Sequence, residues 1–439
     1  MNSLSLKPVN LPEKLIWYYI ISTYVIYLLG AQYVLAPLLA TVLAVYLLHQ
    51  WWHQPPTTPL QARIQISPLM WSWIVGMIVM EIALIVGHVN FNLELVQIIK
   101  SSLYWYKHWA LFALFPLAGH LQIRPQIIYR AVCILCAQCL VLILINAIAL
   151  GLNLPNLIYT SPLQAFGGDA MFYDVNLFAV EPNYGEGLRL ELFAPWPPAL
   201  GLVANIFFWL ANEEPDPKWR YLGMASAVAM AILSVSRTAV LCLPVVWFLT
   251  WMILNFLRPR VQLGTSFTCL VLGISSTVII DWIEIVKQRF AAFRPGSSKV
   301  RAALIRMTLE RWRTEGPIWG RGINTSRGPA SLGFMPIGTH HTWFGVLFLH
   351  GVVGFLAFAI PFVWTLFSLC IKARTSQIAR VGLKIMLVLL VFSFCDIIET
   401  IAYLFWPGLL FVGIAISHNH TIDPESSNSL VQNKILVAR

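Results

Sequence analysis

Charge is what this sequence has least of. Only 11% of its 439 residues are Asp, Glu, Lys or Arg, against roughly 25% in soluble globular chains. Hydrophobic residues make up 58% and the mean hydropathy is +0.72. That composition excludes a water-soluble fold and points to a polytopic membrane protein. Cysteine is sparse as well. Cys133, Cys136, Cys139, Cys242, Cys269, Cys370 and Cys395 all fall inside apolar runs, which excludes a disulfide frame and reads as small buried hydrophobes. The first three have a redox- or zinc-like spacing, but no polar context supports a metal there. No nucleotide-binding loop of Walker type occurs, nor an Asp-rich cluster of the kind nucleotide-sugar enzymes use, so neither a nucleotide donor nor a metal cofactor is expected. Strand-like alternation, long repeats and low-complexity tracts are missing too. The first apolar run has no small-residue cleavage site and leads into another span, so no cleavable signal peptide is expected.

What is present is a series of apolar runs. A hydrocarbon core takes about 20 helical residues to cross, and in lipid each run must be a helix because every backbone group needs an internal partner. Twelve runs are expected as spans, near 15–30, 33–52, 69–87, 105–121, 127–152, 198–211, 221–234, 239–257, 265–283, 342–371, 381–395 and 398–417. The expectation is therefore an all-α polytopic membrane protein of about twelve transmembrane helices, with residues 1–439 forming a single transmembrane domain.

The net charge is +10, but the basic residues lie between apolar runs. Their fitting partners are anionic lipid head groups or lipid-linked phosphates, not nucleic acid. With both termini cytoplasmic, the cytoplasmic segments hold Lys7, Lys14, Arg63, Arg124, Arg130, Lys218, Arg220, Arg258, Arg260, Lys372, Arg374, Arg380, Lys384, Lys434 and Arg439. The residues 418–439 form a cytoplasmic tail. The other side carries Arg189, Arg237 and the ten Lys and Arg of 281–341. Long loops escape the positive-inside rule, so basic residues that topology does not require point to another job. Adhesion to an anionic lipid surface is the alternative.

Two external loops stand out by length. The loop 153–197 is acidic and rich in Gly and Pro. The loop 281–341 is basic and contains an amphipathic helix at about 298–315, capped by Ser297 or Ser298 and stopped at Gly316-Pro317. Leu304, Ile305, Thr308, Leu309 and Trp312 form its apolar stripe, with Lys299, Arg306 and Arg313 on the other face. Glu310, four residues after Arg306, is placed to pair with it. Arg301 falls within the stripe, where a cation wants an anionic partner.

Four positions carry the candidate chemistry. Arg237, in Ser-Val-Ser-Arg-Thr, stands at an external corner between two spans with almost no loop, where a cation marks a site or snorkels to head groups. Arg189 is the single cation of the acidic loop, with a salt bridge to Glu186 or Glu191 as the plain alternative. His340 and His341 stand at the mouth of the tenth span, where a neutral imidazole with a pKa near 6.5 accepts a proton from an attacking sugar hydroxyl; a simple preference for the head-group boundary is the alternative. Arg301, Arg306, Arg311, Arg313, Arg321 and Arg327 offer fork-shaped donors suited to phosphate, some of them being plain surface charge. A lipid-linked diphosphate donor fits this inventory, because its leaving group is already activated and needs only positive charge, a base for the acceptor, and no metal.

These residues resemble the O-antigen ligase and O-antigen/polysaccharide polymerase superfamily of bacterial inner-membrane enzymes. Its pattern His-Asn-x-aromatic-Leu followed by Gly-x-x-Gly reads here as His340-His341-Thr342-Trp343-Phe344 and Gly351-Val352-Val353-Gly354. The second His stands where the family has Asn or Ser, so His340 matches the functional histidine. The Ser-Arg-small element is Ser236-Arg237-Thr238. The external helix opening on Arg and ending in Pro-x-x-Gly-x-Gly runs from Arg301 to Pro317-Ile318-Trp319-Gly320-Arg321-Gly322. The Arg-x-x-Gly-x-Phe element is met loosely by Arg189 and Phe193. The resemblance covers about 180–415. It implies a glycosyltransferase C-type membrane fold and metal-free transfer, on the periplasmic side, of a glycan linked to undecaprenyl diphosphate. External arginines would hold the diphosphate and His340 would serve the acceptor.

Two classes of function follow. The first is an inverting glycosyltransferase with Arg237, Arg301, Arg189 and Arg306 binding the diphosphate and His340, with His341 beside it, as base or orienting group. Its acceptor would be a lipid A core (ligase) or a second lipid-linked glycan (polymerase), with a chain-length regulator as a further candidate partner. The second is a transporter or flippase for an anionic or lipid-linked solute. That reading calls for charges at the bilayer midplane, and few occur: Glu81 lies mid-run, while Asp396 and Glu399 lie at run ends.

Overall fold

A computed structural model describes residues 6–58, 63–177, 189–292, 295–323, 328–329, 336–338 and 340–418, with the backbone alone for 286–292 and 295–299. The described residues form sixteen helices in chain order. They are α1 (Leu11–Ile21), α2 (Thr23–Leu28), α3 (Gln32–Trp52), α4 (Pro68–Asn90), α5 (Leu95–His108), α6 (Leu111–Ala118), α7 (Pro125–Gly151) and α8 (Pro197–Ala211). The second half holds α9 (Pro217–Leu233), α10 (Arg237–Asn255), α11 (Pro259–Ile274), α12 (Ser276–Ala292), α13 (Pro295–Glu315), α14 (Thr342–Lys372), α15 (Gln377–Ser393) and α16 (Trp406–Ser417). The helix starts follow local chemistry. Side chains of Asn10, Ser67, Asp216, Ser236 and Ser376 cap α1, α4, α9, α10 and α15, and Pro opens α4, α7, α8, α9 and α11, where its missing N–H costs nothing.

Five helices, α3, α4, α7, α10 and α14, are long and apolar enough to cross a membrane, and α11 with α12 makes a sixth candidate bent by 80°. The chain is thus a mostly helical, multi-pass membrane protein. Several expected runs are broken. Run 15–30 divides at Ser22 into α1 and α2. Run 105–121 becomes the end of amphipathic α5 and the short buried α6. Run 265–283 turns sharply at Gly273, Ser275 and Ser276, whose small or hydroxyl side chains weaken the helix ladder. Run 398–417 is α-helical only from Trp406 on, after a 3-10 turn at Ile398–Ile401. Cys269 lies exposed on α11, a helix without a buried residue, while Cys133, Cys136 and Cys139 are buried on α7.

The acidic loop corrects the all-α expectation. It contains an antiparallel hairpin of β1 (Leu157–Thr160) and β2 (Asp174–Asn176). Tertiary bonds hold these short strands down: the Tyr27 hydroxyl donates to Asn176 O, Ser161 Oγ donates to Leu29 O, and Lys107 Nζ donates to Phe166 O and Gly167 O. Residues 178–188 of the loop lie outside the described residues, and so does the tail beyond His418.

The helices run between two ends. One end gathers ion pairs: Arg124 to Glu13 at 2.7 Å, Arg130 to Glu214 at 2.5 Å and Lys384 to Glu213 at 3.7 Å. At its centre runs α8, apolar on all sides and almost wholly buried. On the flank α4 and α14 approach so closely that a Cβ on Gly76 would stand 2.3 Å from Ala357 O. The opposite end is where the loops and the candidate residues collect.

Candidate functional site

The site is built on the start of α14. His341 is its N-cap: Nδ1 accepts from Phe344 N at 3.4 Å and the ring stacks on Phe344 with centroids 4.0 Å apart. The residue before it, His340, has φ +66, a left-handed backbone that a non-glycine residue adopts only when its surroundings impose it. Those surroundings are the connection after α15. Buried Thr342 donates through N (3.1 Å) and Oγ1 (2.8 Å) to the Asp396 carbonyl, and accepts at Oγ1 from Ile398 N at 3.0 Å. Trp343 Nε1 donates to Ser393 Oγ at 2.8 Å.

Asp396, only 6% exposed, ties in a third segment. Its Oδ1 accepts from Ile397 N at 2.9 Å and its Oδ2 from Trp196 Nε1 at 3.1 Å. Trp196 ends the segment that begins at buried Arg189. Near its other end, Leu190 N donates to Leu233 O at 3.0 Å, four residues before Arg237. The segment 189–196 therefore spans from the α9–α10 corner to the α14 start. At that corner Arg237 is half-buried at the first position of α10. The backbone there is held by Ser236 as cap, by Val235 at φ +49, and by Asn205 of α8, whose Nδ2 donates to Ala239 O at 3.0 Å.

Arg301 arrives on α13. Leu304 of that helix packs with Ile337 and Phe348, and Thr308 Oγ1 accepts from Gly338 N at 3.0 Å. One turn earlier on this same face, Arg301 is half-buried and is an electrostatic neighbour of His340. Burial first, and then the Arg301 guanidinium, push the His340 imidazole below its usual pKa, while the Asp396 carboxylate pulls it upward. His340 is thus neutral at neutral pH and able to take up a proton. His341 is pushed down to about 4 by burial, and its Nδ1 is engaged in the cap.

A broken helix sets the height of α13. Gly351, with φ +63 and ψ −165, interrupts α14, and the turn Pro317–Gly322 occupies the break. Arg321 N donates to Phe348 O (2.9 Å), Gly322 N to Leu349 O (2.8 Å), Val352 N to Pro317 O (3.0 Å) and Val353 N to Ile318 O (3.1 Å). The backbone groups released by the kink are all answered by protein, as hydrocarbon requires. A Cβ on Gly351 would lie 2.1 Å from Ile318 O, and one on Gly320 2.5 Å from Gly351 N, so two glycines meet face to face.

Of the residues expected from sequence, Arg301 and His340 are neighbours, and Arg189 and Arg237 are linked to them through the 189–196 segment. Arg306 is exposed on the other face of α13, as is Arg313. Arg321 is tied to Glu315 at 2.6 Å, and Arg311 pairs with the same carboxylate at 3.7 Å. Arg327 lies outside the described residues. Sequence reasoning did not assign Asp396, Trp196, Thr342 or Glu399 to the site. The available signal was the placing of Asp396 and Glu399 at the ends of apolar runs, where a carboxylate needs a reason to be.

No protein of curated function matches the chain. Residues 222–359, which run from α9 through Arg237, Arg301 and His340 into α14, match the family model described as O-antigen ligase. Over that stretch, about a third of its length, the chain is similar to the O-antigen ligase family.

Proposed function

We propose that this protein is a metal-independent, inverting glycosyltransferase of the bacterial inner membrane that moves a glycan from undecaprenyl diphosphate to a hydroxyl of a lipid A core. The observation that carries this reading is the convergence of Arg301, His340 and Asp396 at the start of α14, with Arg237 and Arg189 joined to it by one short segment. The acceptor oxygen attacks the anomeric carbon as the carbon–oxygen bond to the diphosphate breaks. His340 takes the acceptor proton, and the departing diphosphate keeps the bonding electrons. Arg237, Arg301 and Arg189 meet the charge that develops on it; one such preorganised donor is worth about 10²–10³ in rate. A single displacement inverts the anomeric centre. With His341 engaged as a cap, proton transfer falls to His340, and exposed Arg306 is left to the rim. In this reading the short helices complete twelve crossings of a glycosyltransferase C-type fold. Both termini are cytoplasmic, and 281–341 faces the periplasm.

The test is transfer from a synthetic undecaprenyl-diphosphate glycan in detergent with EDTA present. Wild type is compared with His340→Ala and Arg237→Ala, and lipid A core and a second lipid-linked glycan are offered separately. Product on lipid A core, abolished by both substitutions in folded protein, is expected. Product only on the second glycan would make the enzyme a polymerase. Full activity in both variants, or no transfer at all, would overturn the catalytic reading and move the question to glycolipid translocation in liposomes.

A further inference from the structure

Beneath the His340 turn lies a second carboxyl group that this mechanism does not use. Glu399 is 5% exposed, in the 3-10 turn that follows Asp396, and its Oε2 stands 3.2 Å from Thr342 Oγ1. The hydroxyl carries one proton and two lone pairs. Its proton faces the Asp396 carbonyl at 2.8 Å, an acceptor that offers no alternative, and one lone pair takes the Ile398 N–H at 3.0 Å. An ionised Glu399, at 3.2 Å, would compete with the nearer Asp396 carbonyl, at 2.8 Å, for the single proton of that hydroxyl. A protonated Glu399 completes the set, because its O–H fills the remaining lone pair.

We propose that Glu399 works as a neutral carboxylic acid, donating to Thr342 Oγ1 and thereby positioning the first residue of α14 and the Asp396 backbone against which His340 is set. This proposal rests on the glycosyl-transfer reading above. The surroundings agree with a neutral group. The titratable groups that meet Glu399 are Asp396 on its own connection, which opposes a further negative charge, and the neutral Tyr104 hydroxyl of α5; the Glu399 backbone N–H and the Thr342 hydroxyl favour the ionised form, and burial outweighs them. On the same face of the fold Lys107 is held by Phe166 O and Gly167 O, and His108 by Tyr33 and Tyr104 O. At the end of α15 stands Ser393, which serves Trp343. Burial, the largest influence, raises the Glu399 carboxyl to about 8. The connection 394–405 lies between α15 and α16 and is bonded to the first residue of α14, outside the spanning helices.

The test uses the full-length protein in detergent and compares wild type, Glu399→Gln and Glu399→Ala across pH 6 to 10, by transfer rate and by thermal midpoint. Gln keeps the donor and cannot titrate. Expected is a Glu399→Gln rate within about twofold of wild type at neutral pH, without the decline wild type shows as pH rises through about 8, whereas Glu399→Ala loses about tenfold throughout. The midpoints test the same claim without turnover. The raised carboxyl keeps its proton only in the folded state, so its contribution is full at acid pH and is lost as pH rises toward 8. Wild type should therefore fall relative to Glu399→Gln over that window. If wild type shows no transfer, the functional reading fails while the midpoints still decide the role of Glu399. Identical pH profiles of wild type and Glu399→Gln in both measurements, or an unaltered Glu399→Ala, would overturn the proposal.

Discussion

Replacing Gly351 by Ala should unseat the turn that carries α13 into the site. The perturbation is one methyl group. Its Cβ would be 2.1 Å from Ile318 O and 2.6 Å from Gly320 N, both backbone atoms that cannot swing aside. The conformation itself, φ +63 with ψ −165, belongs almost only to glycine and costs other residues about 1–3 kcal/mol. Relieving the clash means separating Pro317–Gly322 from α14, which breaks four backbone bonds at Phe348, Leu349, Val352 and Val353, each with a net worth of about 1 kcal/mol. Together the loss is about 5 kcal/mol, in the range reserved for a broken structural feature. The measurements are the thermal midpoint in detergent and amide hydrogen exchange over 346–354. Exchange at Val352 and Val353 should rise sharply, and transfer should fail because Arg301 no longer meets His340. Val352→Ala, one residue on at a site 38% exposed, serves as control and should change little. A Gly351→Ala protein within about 1 kcal/mol of wild type, with those amides still protected, would refute the reasoning.

The two faces of α13 should separate in the transfer assay. Arg301→Ala should lower the initial rate by about 100-fold or more, the scale of one preorganised charge, and Arg306→Ala by less than about threefold, since exposed charges are weakly coupled; equal losses would sink the assignment. The acid limb of the rate should lie below the ordinary histidine value near 6.5, because burial and Arg301 hold the His340 proton affinity down. Arg301→Gln should shift that limb toward neutrality and Asp396→Asn should shift it further toward acid, each read from initial rates against pH. A limb that neither substitution moves would mean His340 is not the titrating base.

Much of the candidate site was legible before any fold was known, and for identifiable reasons. An arginine at Ser236-Arg237-Thr238, with almost no loop around it, must account for its position beside hydrocarbon. A histidine at the mouth of a long span, and an arginine inside the apolar stripe of 298–315, break local patterns and so stand out. Asp396 and Trp196 were less readable, because two hundred residues separate partners whose bond is a single indole N–H on a carboxylate. His341 shows the opposite limit: next to His340 it looks chemical, yet its backbone places it as a cap.

Composition and hydrophobic patterning alone determined that this is a helical, multi-pass membrane protein, because long apolar runs without strand-like alternation satisfy their backbones in lipid as helices. They also determined where α4, α7, α10 and α14 lie. Tertiary structure alone decided that α14 breaks at Gly351, since that break is stable only when another segment, the turn Pro317–Gly322, supplies the missing backbone partners. It decided as well that an acidic loop folds into a hairpin and that Asp396 and Glu399 gather under His340. Hydropathy records the average cost of burying a segment, whereas a hydrogen bond at 3 Å depends on which distant segment arrives to share it.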